Sequence, residues 1–107
     1  MDTNYLIIFE SAELVYNSKD YTSATILYFK VIFVALDSMI LKKIGKTPKD
    51  HTERFFILKK EFPYEYEKLD LFFSIYRDTY SKFIDKDTCE EIRNETKRFI
   101  ERAQKIS

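Results

Sequence analysis

Residues Tyr21 to Ile44 read YTSATILYFKVIFVALDSMILKKI, and this stretch decides the fold. A helix on the surface of a protein carries one apolar stripe, whereas a helix apolar on most of its faces must be covered on most of them. The segment therefore predicts a central helix wrapped by its neighbours. Asp20 supplies an N-cap, and Gly45 supplies a left-handed residue at the other end, next to Lys42 and Lys43 at the negative helix terminus. At 1.5 Å per residue the helix is ~36 Å long. Ser23, Lys30 and Asp37 recur every seventh residue and form its one polar seam, which either faces solvent or lies against a partner or pocket. The apolar run Ala24–Leu41 approaches the length needed to cross a bilayer, but Lys30 and Asp37 would sit at depth, so a core helix is expected and no membrane contact.

The flanking sequence supplies what wraps it. Thr3–Asn17 places Tyr5, Ile8, Ala12 and Val15 at helical spacing, leaving Glu10, Glu13 and Asn17 for solvent. Thr47 and Pro48 read as N-cap and first position of a short third helix running to about Phe62, with Asp50 closing an acidic capping box. Pro63 ends that helix. Leu69, Phe72, Phe73, Tyr76, Tyr80 and Phe83 then mark one stripe of a fourth. Asp87 and Glu90 frame the start of a fifth near Thr88, whose seam is Cys89, Ile92, Thr96, Phe99, Ala103 and Ile106. One Gly and two Pro in 107 residues are too few for a sheet of tight turns. The expected architecture is one all-α domain over residues 1–107, an up-and-down antiparallel four-helix bundle with one additional short helix. The central helix has more apolar surface than so small a bundle covers, which predicts a homodimer built beside the first, second or fourth helix.

Charge and cysteine usage exclude broad classes. Lysines and arginines number 18, as do aspartates and glutamates, so a protein devoted to a polyanion such as DNA is not expected. Lys42–Lys60 nevertheless holds seven Lys/Arg against Asp50 and Glu53. Such a block is solvated or steers an anion. The one cysteine, Cys89, rules out an internal disulfide framework and fits a reducing cytoplasm, and MDTNYLIIFESAE has no secretory pattern.

Few residues carry chemistry. His51 is the only histidine and falls in the first turn of the third helix, where the positive helix end disfavours an imidazolium. Neither a cysteine nor a second histidine accompanies it at ligand spacing, so no metal and no cofactor are expected, and its role is accessory at most. Cys89 opens an apolar seam and reads as a core residue. Y-R-D-T-Y, Tyr76–Tyr80, puts two phenols and a guanidinium on adjacent turns, where Arg77, Asp78 and Tyr80 are candidate ligand- or phosphate-binding residues. Lys30 and Asp37 on the polar seam are the weaker candidates.

At this point the chain resembles the HEPN family of small prokaryotic helical domains found in toxin–antitoxin and defence systems. The resemblance rests on YTSATILYFKVIFVALDSMILKKIGKTPKDH, and on YRDTYSKF followed by DTCEEIRNETKRFIERA. It implies an up-and-down bundle that dimerises. It also implies, for the family's ribonucleases, an Arg followed by a polar residue and then a His further along the helix. Arg77–Asp78 matches the first half. Lys82, Phe83 and Ile84 stand where the His belongs, and Arg54, Arg93, Arg98 and Arg102 lack a following His too. A lysine that stays protonated near neutral pH does not replace an imidazole as acid and base. No catalytic residue is therefore assigned. The expectation is a non-catalytic homodimeric module that binds a protein partner, such as a small nucleotidyltransferase, or a nucleotide or RNA. The alternatives are a ribonuclease with an unusual site around Arg77 and a purely structural adaptor.

Overall fold

The computed structural model describes residues 4–106, which form five helices: α1 (Asn4–Asn17), α2 (Tyr21–Ile44), α3 (His51–Glu61), α4 (Pro63–Asp78) and α5 (Lys86–Lys105). No strand occurs among the described residues, so the chain is an all-helical bundle. The long dimension of the molecule, 38 Å, is close to the length of α2 alone. α1 and α5 pack along α2 most extensively, while α3 and α4 pair with each other and lean on it. Ala24, Thr25, Tyr28, Phe29, Val31, Ile32, Phe33, Ala35, Leu36, Met39 and Ile40 are buried, which makes α2 the centre of the core. Its length and hydropathy alone would let it span a membrane, yet 61% of its most apolar window is buried inside the bundle.

The helix ends show which local signals prevail. Asp20 accepts from Ser23 N–H at 3.1 Å, and Gly45, at φ 79°, donates to Leu41 O at 2.9 Å, so both expected caps of α2 form. α3 starts later than Thr47 and Pro48 suggest. Asp50, in extended backbone, accepts from Glu53 N–H at 2.8 Å, and Glu53 reaches back to accept from Lys49 N–H at 2.9 Å. That D-H-T-E box displaces the weaker one and leaves Pro48 in the connection. α5 starts two residues early for the same reason, because Asp85 accepts from Thr88 N–H at 2.8 Å. Phe62 and Pro63 end α3 and open α4 within one step. Pro63 lacks the amide that α3 would need and fits the first position of α4, where that amide has no partner anyway.

Two further sequence expectations change. Glu13 is not solvated: it accepts from Arg93 Nε at 2.7 Å, Arg93 Nη2 at 2.8 Å and the Tyr28 hydroxyl at 2.5 Å. This junction ties α1, α2 and α5 together, and the guanidinium holds the carboxyl below its usual range. The apolar stripe of α4 also stops short. The helix closes at Asp78, where the Thr79 hydroxyl donates to Tyr76 O at 2.6 Å and Lys82 N–H to Asp78 O at 2.8 Å. Leu69 is buried and Phe72, Phe73 and Tyr76 are partly so, but Tyr80 is 76% and Phe83 98% exposed. Thr3, expected at the start of the first helix, lies outside the described residues.

Candidate binding site

Polar side chains of α2 and α3 meet most closely at Asp37. Arg54, at the second turn of α3, lies across α2 with its Nε donating to Asp37 Oδ1 at 2.7 Å and its Nη2 to Asp37 Oδ2 at 2.8 Å. The remaining nitrogen, Nη1, is 2.6 Å from Nδ1 of His51. A guanidinium has only protons to give, so Nδ1 accepts and the ring carries its hydrogen on Nε2. Burial pushes the imidazole pKa below its ordinary 6.5, and the neighbouring Arg54 charge pushes in the same direction against weaker pulls from Asp37 and Asp50. His51 is thus held neutral, in one tautomer.

The ring is enclosed by aromatics. Its centroid lies 4.7 Å from Phe33, 5.5 Å from Phe73 and 5.6 Å from Tyr76. Phe33 and Tyr76 meet edge-on at 5.1 Å, and the Arg54 guanidinium lies 5.0 Å from the Phe33 centroid. Spacing alone put His51 in a helix-start position. The fold also makes it the polar member of an aromatic cluster joining α2, α3 and α4. Arg54 carried no local signal of this role, since its acceptor lies on a different helix.

Arg77 and His51 touch the same ring, for the Arg77 guanidinium lies 5.4 Å from the Phe73 centroid. Arg77 is exposed and has no ion-pair partner among the described residues. Asp78 instead pairs with Lys82, 3.6 Å away on the exposed surface. Tyr80 shares a hydrogen bond of 2.8 Å with the hydroxyl of Tyr76, whose pKa is pushed up to about 12, first by burial and then by that bond. Tyr80, Lys82 and Phe83 then line a shallow cleft of about 290 Å³ with Thr22, Thr79 and Ser81. Ile84 N–H donating to Thr22 Oγ1 at 2.8 Å fixes this loop to the start of α2. The candidates Arg77, Asp78 and Tyr80 therefore gather at one end of α4, bordered by a cation and an open aromatic ring. The sequence pattern missed Phe83 as a surface residue because it continued the apolar spacing.

The polar seam divides. Lys30 is exposed, whereas Asp37 is engaged by Arg54. Of the basic block, Lys43 pairs with Glu61 at 3.5 Å and Lys46 with Glu53 at 3.7 Å, which reduces its local field. Cys89 is fully buried, and burial raises its thiol pKa, so it packs rather than reacts. Among the described residues no group of three or more His, Cys, Asp or Glu is placed to hold a metal ion. No family model, curated protein or solved structure matches the chain.

Proposed function

We propose that this chain is a non-catalytic, HEPN-like module, an up-and-down antiparallel bundle that acts as a homodimer and binds a protein partner or a nucleotide. The observation that carries the reading is the state of His51. Its Nδ1 is occupied by Arg54, its Nε2 already holds the proton, and Arg54 is itself locked onto Asp37. An imidazole so placed donates a hydrogen bond and does not shuttle protons. The end of α4 supports binding. It offers a guanidinium, an ammonium and two exposed rings, Arg77, Lys82, Tyr80 and Phe83, a set that suits stacking and anion contact. A small nucleotidyltransferase remains the partner class that the HEPN resemblance implies.

Incubating the purified protein with mixed RNA, beside an Arg77→Ala variant, tests this directly. Intact RNA in both samples is expected. Cleavage by the wild type that Arg77→Ala abolishes would replace this reading with a ribonuclease centred on Arg77.

A further inference from the structure

The one open face of α2 has a pattern that reads alike from both ends. At 3.6 residues per turn, Ile26, Lys30, Val34, Asp37 and Leu41 fall within about a third of the helix circumference. They are also where the wrapping is incomplete. Ile26 is 42% and Leu41 46% exposed, Lys30 is exposed, and Val34 and Asp37 are half-buried. Ile26 precedes Lys30 by about one turn, and Leu41 follows Asp37 by about one turn. Reversing the helix therefore lays apolar on apolar and cation on anion.

We propose that this strip is the homodimer interface, with α2 of one copy antiparallel to α2 of a second about a two-fold axis that passes between the two helices, level with the Phe33–Val34 peptide. This rests on the homodimer reading above and assigns its surface and register. Ile26 then faces Leu41 of the other copy, Lys30 faces Asp37, and each contact occurs twice, as a two-fold interface requires. Charge complementarity singles out a second copy as the occupant. Lys30 has no ion-pair partner among the described residues of its own chain. Asp37 accepts two bonds from Arg54, and a carboxylate has roughly four lone-pair sites, so it has room for an ammonium on its open side. Space is available too. Val34, Asp37, Ser38 and Leu41 line a cleft of about 260 Å³ with Thr47 and Pro48 of the α2–α3 connection, and the register seats the incoming Ile26 there. A crossing of about 20° keeps two antiparallel helices in contact over this length.

Short bis-maleimide cross-linking of full-length single-cysteine additions tests the register, because native Cys89 is fully buried. Mixed Ile26→Cys and Leu41→Cys chains should link to each other and neither should link to itself, while Ile7→Cys on exposed α1 should give no product. Lys30→Asp, which sets Asp beside Asp37 twice, should raise the dimer dissociation constant at least ~10-fold at low salt while its far-ultraviolet circular dichroism stays that of the folded helical chain. All four sites, Ile7, Ile26, Lys30 and Leu41, are exposed, so the variants are expected to fold. A dimer by light scattering that shows no mixed cross-link and ignores Lys30→Asp would overturn this register and leave the homodimer standing. A monomer at every concentration would overturn both.

Discussion

Arg54 of α3 grips Asp37 of α2 through two parallel hydrogen bonds, with 10% and 23% of the two side chains exposed. This pair, with His51 on the third nitrogen, fixes the α3–α4 layer against the central helix. Removing one partner leaves the other charge half-buried and unpaired. Arg54→Ala is expected to destabilise the fold by about 2–4 kcal/mol, read by urea denaturation. A loss below about 0.5 kcal/mol would show the pair to be dispensable.

His51 makes stability depend on pH with a defined sign. Its folded pKa lies below the unfolded 6.5, so the folded state binds fewer protons in the window between them. Its share of stability is complete above 6.5 and is lost as pH falls to the folded value. Melting curves from pH 5 to 7.5 should show this decline, and His51→Phe should flatten it. An unchanged slope in the variant would assign the titration elsewhere.

Glu13 works lower on the pH scale. Held below its ordinary 4.5 by Arg93, it stabilises the fold above that value and stops doing so as pH drops through the folded pKa. Arg93→Ala is expected to cost about 1–2 kcal/mol at pH 7, allowing for partial exposure. The cost should shrink near pH 3, and equal costs at both pH values would contradict the assignment.

Phe83 is almost wholly exposed, so Phe83→Ser should change stability by less than about 0.5 kcal/mol. If the end of α4 receives the partner, the same variant should weaken partner or nucleotide binding, measured by calorimetry. A large loss of stability with unchanged binding would make Phe83 a folding residue.

What the sequence showed and hid follows from range. α2, its Gly45 terminus and the break at Pro63 were legible because each depends on residues within a turn of one another. The starts of α3 and α5 slipped by a turn or less where two acidic boxes competed, and Asp50 and Asp85 won. The end of α4 at Asp78 carries no Gly or Pro, so the aromatic spacing ran on past it to Tyr80 and Phe83. The site was harder. Asp37 and Arg54, or Glu13 and Arg93, lie on different helices, and only the packed fold says which carboxylate meets which guanidinium. Arg77, Asp78 and Tyr80 can be grouped as candidates from sequence because they adjoin one another in the chain.

The unfinished covering of α2 links the fold to the proposed function, and solution mass tests it most directly. Light scattering over a concentration series should give twice 12.9 kDa, falling toward 12.9 kDa for Lys30→Asp. A wild-type mass of 12.9 kDa throughout would contradict it.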